Sequence, residues 1–133
     1  MINEIMDWKR CEREFIRKVE ADLERVSSIK KKAVRRLERA RKEKEADFAV
    51  EGYYETVKEL LTAYLLKNGL RSSNHQCLIS FFLKENPEYE IEALLNHQMS
   101  FFRNRLTYYG EDIPKEFYGT ELPDPRVNNV GRI

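Results

Sequence analysis

The sequence predicts an all-α protein, an up-down antiparallel bundle of about five helices. Glycine and proline are scarce, at 5 and 4 of 133 residues, and charged residues make up 35% of the chain. Apolar residues recur at helical rather than alternating spacing. Because the predicted loops are short, consecutive helices should run antiparallel. A chain of this length fits one domain with a modest core.

The first two predicted helices differ in the width of their apolar faces. Helix one runs from about Asn3 to Val26, with apolar residues at three- and four-residue steps. Ser27 and Ser28 predict a break and an N-cap. Helix two then continues to about Lys44 with a thin stripe of small apolar residues. It should therefore pack closely on one side and keep a broad solvated face.

The third and fourth predicted helices have clear end signals. Helix three spans 46–68 and stops at Asn68-Gly69, a favourable C-terminal cap. Ser72-Ser73-Asn74 predicts the N-terminal cap of helix four, which reaches about Lys84. Asn86-Pro87 closes that helix, because the residue before a proline avoids helical geometry.

The fifth predicted helix runs from about Pro87 to Tyr109 and ends at Gly110. After it we expect one short turn at 114–118 in an extended or disordered tail. The predicted organisation is therefore an N-terminal accessory helix, a helical bundle and a tail, at residues 1–26, 27–112 and 113–133.

A seam that includes polar residues follows the fifth helix at steps of four and three. Its members are Ile91, Leu95, Gln98, Phe102, Arg105 and Tyr109. A buried polar group without a partner costs about 1–3 kcal/mol. Gln98 and Arg105 are therefore either satisfied across an interface or line a cleft.

The net charge of +1 conceals a strongly basic segment. Residues 27–44 hold nine basic and two acidic side chains. A basic helix on a nearly neutral protein is a candidate phosphate-binding surface. The candidate nucleic-acid contacts on it are Lys31, Arg35, Arg39 and Lys42. The alternative interpretation is an ordinary solvated helix face.

The cysteines and histidines give no metal or cofactor motif. Cys11 and Cys77 form no CxxC pair, which predicts reduced thiols in a cytoplasmic protein. His75 and His97 lack flanking acids at ligand spacing, so neither a metal site nor a cofactor is expected. No stretch approaches the ~20 apolar residues of a membrane span, and the acidic start of the chain predicts no signal peptide.

Segments in three of the predicted elements together resemble the HEPN family. They are Phe48-Ala49-Val50-Glu51-Gly52-Tyr53-Tyr54-Glu55 with its continuation Leu60-Leu61-Thr62-Ala63-Tyr64-Leu65-Leu66-Lys67-Asn68-Gly69, then Ser72-Ser73-Asn74-His75-Gln76-Cys77-Leu78-Ile79, and Arg103-Asn104. The resemblance covers about residues 27–112. It implies an up-down bundle that forms a homodimer. Many members are metal-independent ribonucleases or toxins, and a minimal nucleotidyltransferase is an implied partner.

The family motif is an Arg, often followed by Asn, with a His five or six residues later. Arg103 and Asn104 match its first positions, and Tyr108 or Tyr109 stands where the His is expected. A tyrosine, with a pKa of about 10, is a poor general base at neutral pH. A second family branch ends in tyrosine-glycine, as this helix does, and in that alignment Arg105 takes the Arg role. We favour Arg105 with Tyr109, since both lie on the seam.

The two histidines have separate expectations. His75 matches a family His at the start of the penultimate helix, where we expect it to cap the helix or make a structural hydrogen bond. His97 should be exposed, although a site of His97, Arg103 and Tyr108 is an alternative.

Three functions follow from this resemblance. The first is a non-catalytic module that binds RNA or a nucleotide in the dimer cleft, associated with a toxin–nucleotidyltransferase system. The second is a metal-independent endoribonuclease toxin. The third is a structural or adaptor bundle in which Arg105 pairs with Glu55 or Glu59 across the dimer. Because the motif His is missing, we place the binding module first.

Overall fold

A computed structural model of the chain describes residues 5–109, without the side chains of 102 and 104–109. The predicted tail at 113–133 and its short turn lie outside the described residues. Within them, the all-α bundle of five helices is confirmed, with a small sheet added. The elements are α1 (Trp8–Glu14), β1 (Ile16–Lys18), α2 (Leu23–Lys42), α3 (Ala46–Lys67), β2 (Leu70–Ser72), α4 (Gln76–Glu85), a 3-10 turn (Pro87–Tyr89) and α5 (Glu90–Tyr109).

The predicted single helix from Asn3 to Val26 is wrong. The chain leaves α1 at Phe15 and forms β1, which pairs antiparallel with β2. The backbone N–H of Val19 extends this pairing by donating to the carbonyl of Gly69 at 2.9 Å. A partner strand distant in sequence thus overrides the local helical spacing.

The predicted break at Ser27 and Ser28 is also wrong, because both residues lie inside α2. The helix begins earlier, where the carboxylate of Asp22 accepts a hydrogen bond from the backbone N–H of Arg25 at 3.1 Å. An aspartate at this position satisfies one of the free N–H groups of the first turn. The predicted boundary between residues 26 and 27 therefore falls within a continuous helix.

Cys11 and Cys77 form a disulfide, so the prediction of reduced thiols is wrong. Pairing of β1 with β2 brings α1 against the start of α4, with the two Cα atoms 5.6 Å apart. Both cysteines are completely buried. The bond joins residues 66 positions apart and closes a loop that contains α2 and α3.

α3 is the central helix, with the bounds that the sequence predicts to within one residue. Gly69 follows it with φ of +72°, the left-handed conformation typical of a helix C-terminus. One side of α3 carries large apolar residues such as Leu61 and Leu65, and a second side carries small ones. There, a Cβ on Gly52 would lie 2.9 Å from the Cβ of Ala40. This close approach brings α2 directly onto α3.

The large apolar side of α3 packs against α4 in an aromatic cluster. The ring of Phe81 lies 5.2 Å from that of Trp8 and 5.6 Å from that of Tyr64. Phe82 contacts Tyr64 edge to face. The cluster joins α1, α3 and α4, and leaves α2 and α5 as the two long helices on the outside of the bundle.

Candidate nucleic-acid interface

The exposed face of α2 carries the four predicted nucleic-acid contacts. Buried residues of α2 recur at helical spacing along one stripe, which includes Ala33 and Ala40. Lys31, Arg35 and Arg39 follow one another every four residues on the opposite side, and all three are exposed, as is Lys42. The structure therefore brings these four cations onto one face. Their contact with RNA stays a prediction.

Ion pairs are rare among the basic residues of α2. In the described part of the chain, Arg36 is the only one of the nine basic residues in 27–44 that forms an ion pair, with Glu59 of α3. Arg36 is also half-exposed. No carboxylate among the described residues forms an ion pair with the remaining cations, and such unpaired positive charge favours attraction of a polyanion.

Two clefts flank this basic face. The N-terminal groove, of about 700 Å³, lies between Leu23, Lys30, Val34 and Lys67. The C-terminal cleft, of about 330 Å³, lies between the second half of α2 and the first turns of α3. Arg35 lines both of them. The two clefts therefore share one basic side chain of the exposed face.

Arg103, the first residue of the predicted motif, is held inside the protomer. Its guanidinium nitrogen lies 2.8 Å from a carboxylate oxygen of Glu55. The same guanidinium stacks over the ring of Tyr54, 5.6 Å from its centre. The side chain is 20% exposed. Arg103 thus packs α5 onto α3.

The other predicted motif residues lie on the last turns of α5. They are Asn104, Arg105, Tyr108 and Tyr109, and their side chains lie outside the described part of the structure. Glu55 and Glu59, the predicted partners of Arg105 across a dimer, pair with Arg103 and Arg36 of the same protomer.

The predicted seam of α5 is not the face that packs inside the protomer. The buried residues are Ala93, Asn96, His97 and Met99, on the opposite side of the helix. On the seam, Ile91 is 72% exposed. Gln98 is half-buried, and its side-chain oxygen is covered without a hydrogen-bond partner in the described part of the chain. Of the seam residues whose side chains are described, Ile91 therefore faces outward, and Leu95 and Gln98 are half-buried.

Both histidines line one small cavity between α3, α4 and α5. His75, His97 and Lys58 border it, and its volume is about 20 Å³, enough for about one water molecule. His97 is 8% exposed, so the prediction that it is exposed is wrong. It lies on the inward face of α5, which the seam pattern did not identify.

Of the two roles predicted for His75, a helix cap or a structural hydrogen bond, the capping role is wrong. Its side chain makes no capping hydrogen bond. The neighbouring Asn74 side chain accepts instead from the backbone N–H of Gln76 at 2.8 Å. An Asn in this turn can satisfy the start of a helix without help from the next residue.

The pKa of His75 is lowered from its usual value of 6.5. Partial burial is the largest cause, because it disfavours the charged imidazolium. The positive charges of Lys58 and Arg103 lower the pKa further, and Glu55 opposes them. His75 is therefore neutral at physiological pH.

Phe48 is the residue that sequence interpretation missed. It is 58% exposed and lines the C-terminal cleft beside Arg39. A signal was present, since Phe48 stands on the opposite side of the helix from the apolar stripe that includes Val50 and Val57. A large aromatic residue outside the stripe predicts exposure.

Two kinds of site are absent from the described residues. No group of three or more His, Cys, Asp or Glu side chains is arranged to bind a metal ion there. None of the helices described has the length and apolar character needed to cross a membrane.

Comparisons with protein-family models, with curated proteins and with solved structures found no match to this chain.

Proposed function

We propose that this chain is an RNA-binding helical module, HEPN-like in architecture, that acts as a homodimer. The observation that carries the proposal is the exposed face of α2, where Lys31, Arg35, Arg39 and Lys42 lie together. Phosphate contacts by such cations supply most of the sequence-independent affinity of proteins for nucleic acids. The position of Arg103 favours binding over catalysis, because Glu55 and Tyr54 already occupy its guanidinium.

The experiment is a fluorescence anisotropy titration of single-stranded RNA as a function of salt. Each phosphate contact adds about 0.7 to the slope of log K against log salt for a single strand. Arg39→Gln should weaken binding and reduce the slope by about 0.7. Arg13→Gln is the matched control, because Arg13 is a highly exposed cation on α1. Equal effects of the two changes, or no measurable binding, would contradict the proposal.

The outward face of α5 supports the homodimer. Ile91 and Leu94 are 72% and 43% exposed on a helix that is otherwise packed against α3. A second copy of this face would cover both residues. The cleft predicted for Arg105 and Tyr109 at a dimer interface stays a proposal.

Sedimentation of the protein tests the homodimer. Ile91→Ser with Leu94→Ser should convert a dimer to a monomer without lowering its helix content. A wild-type protein that sediments as a monomer at high concentration would contradict this part of the proposal.

A second candidate function is a metal-independent ribonuclease. It is favoured by the position of His75, which is exposed at the edge of the small cavity that it shares with His97, because a neutral histidine can accept a proton from RNA at the surface. RNA cleavage in EDTA that is lost in His75→Gln would support this function. Cleavage that is unaffected by His75→Gln would rule out this function.

Two further proposals rest on the resemblance and the sequence alone. One is a minimal nucleotidyltransferase as partner of a toxin-like module. The other is a cytoplasmic location, where the Cys11–Cys77 disulfide would be unusual, because disulfides are rare in cytosolic proteins outside hyperthermophiles.

A further inference from the structure

The C-terminal cleft combines an exposed aromatic ring with arginine side chains. It is lined on the α2 side by Lys32, Arg35 and Arg39, and on the α3 side by Phe48 and Gly52. Its volume of about 330 Å³ lies at the lower end of the range of about 300–1,000 Å³ found for small-ligand sites. The cleft can therefore hold one flat group of the size of a nucleobase with its sugar.

The side chain of Phe48 does not contribute to the core of the bundle. It is 58% exposed, although it lies in the first turn of the central helix α3. Gly52 follows one turn later on the same side of α3, where Ala40 of α2 packs closely against it. Small residues therefore form this part of the cleft wall, and the accessible ring of Phe48 beside them is a surface on which a planar group can stack.

The charges around Phe48 favour an anion. Lys32, Arg35 and Arg39 form no ion pair in the part of the chain that the structure describes, whereas Arg36 is already held by Glu59. Two carboxylates, Glu43 and Glu59, also line the cleft, but its four basic side chains outnumber them and leave the lining net positive. Three cations next to one aromatic ring match the pairing of phosphates and bases in a nucleic-acid strand.

We propose that the C-terminal cleft binds single-stranded RNA, with one base stacked on Phe48 and the adjacent phosphates held by Lys32, Arg35 and Arg39. This inference rests on the proposed RNA-binding function and narrows its substrate class. A base inside a duplex is covered on both faces by its neighbours, so only an unpaired base can offer its face to Phe48. The cations alone would not discriminate between single-stranded and duplex RNA.

The test compares three substitutions of the same residue. Binding of a labelled oligouridylate of about 12 nucleotides and of an RNA duplex of equal length is measured by anisotropy. Phe48→Leu and Phe48→Ala should each weaken binding of the single strand by about 5- to 20-fold, as expected for loss of one stacked base. Phe48→Tyr keeps the ring and should stay within about two-fold of wild type. Because Phe48 is exposed, the melting temperatures of the three variants should match.

A second readout follows the stacking directly. In Phe48→Trp, oligouridylate should quench the added tryptophan fluorescence with the same midpoint as the anisotropy titration. The native Trp8 is packed against Phe81 and serves as the unquenched baseline.

The outcomes separate this inference from the proposed function. If Arg39→Gln weakens RNA binding but Phe48→Leu does not, the stacking site is overturned and the RNA-binding function remains. If duplex and single-stranded RNA bind equally, the cleft is not selective for unpaired bases. If an acidic peptide displaces RNA equally well from Phe48→Leu and from wild type, Phe48 adds nothing to RNA binding and the stacking site is likewise overturned. If the wild-type protein binds no RNA, both proposals fail.

Discussion

α2 and α5 are both 20-residue helices that pack against α3, yet their exposed faces carry different kinds of side chain. α2 buries small apolar residues such as Ala33 and exposes a row of cations. α5 buries Asn96 and His97 and exposes Ile91. Both inward faces also bury larger apolar side chains, Leu37 on α2 and Met99 on α5, so the two helices differ most in their outward faces. These two surfaces are the basis of our proposals that α2 binds a polyanion and that α5 packs on a second copy of the chain.

The two helices also differ in how they are held. α2 lies within the loop that the disulfide closes, and it approaches α3 so closely that Gly52 has no room for a Cβ. α5 follows Cys77 in the chain and is joined to α3 in part by the pair of Arg103 with Glu55. The following changes test this difference, from the largest expected effect to the smallest.

Removal of the disulfide should have the largest effect on stability. For a loop of 66 residues, Cys11→Ala with Cys77→Ala should lower the free energy of unfolding by about 4 kcal/mol, because the unfolded chain gains conformational entropy. Urea denaturation of the oxidised wild type and the variant measures the difference. Reduced wild type is the control and should unfold close to the variant. Equal stability of the oxidised and reduced wild type would contradict the prediction.

Gly52→Ala should separate α2 from α3. The new Cβ would lie 2.9 Å from the Cβ of Ala40, which is attached directly to the backbone and cannot rotate away. We expect a loss of about 1–3 kcal/mol from overpacking, although alanine favours helices by about 1 kcal/mol over glycine. Chemical denaturation measures it. Adding Ala40→Gly should restore most of the loss, and a single variant more stable than wild type would exclude the steric explanation.

Arg103→Met should weaken the attachment of α5 to α3. It leaves Glu55, 18% exposed, with Lys58 at 3.4 Å, and we expect a loss of about 1–2 kcal/mol. Arg36→Met is the matched control on α2, because it removes the more exposed ion pair to α3 and should cost less than about 1 kcal/mol. Thermal unfolding of both variants gives the comparison. A larger loss in the control would reverse our ranking of the two contacts.

The smallest effect concerns pH. Because the pKa of His75 is lowered in the folded state, the unfolded chain binds this proton more readily. The contribution of neutral His75 to stability is therefore fully present above pH 6.5. The free energy of unfolding falls as the pH drops from 6.5 towards the lower pKa of His75 in the folded state. His75→Gln should remove this part of the pH dependence. NMR titration of the imidazole checks the direction, and a value at or above 6.5 would refute it.

Local signals explain which elements the sequence predicts well. The bounds of α3 are predicted to within one residue, because its amphipathic pattern and the helix end at Gly69 depend only on residues close in sequence. The row of Lys31, Arg35 and Arg39 follows equally from a four-residue spacing. These features need no knowledge of what lies on the other side of the helix.

Non-local contacts explain the errors. β1 exists because β2, more than 50 residues later, is available to pair with it. The disulfide follows from that pairing and not from the spacing of Cys11 and Cys77. For α5, the pattern identified a helical seam but could not say whether α3 or another molecule covers it. The cavity of His75 and His97 depends on the same orientation.

The disulfide also has a mechanical consequence. A force applied to the two ends of the chain passes through the Cys11–Cys77 bond, so the 66-residue loop that contains α2 and α3 carries no tension. At about 3.5 Å per extended residue, roughly 230 Å of contour length stays hidden until the bond is reduced. Under load, α5 and the part of α4 after Cys77 would unfold, whereas α2 and α3, with the clefts that they line, would bear no force and stay folded.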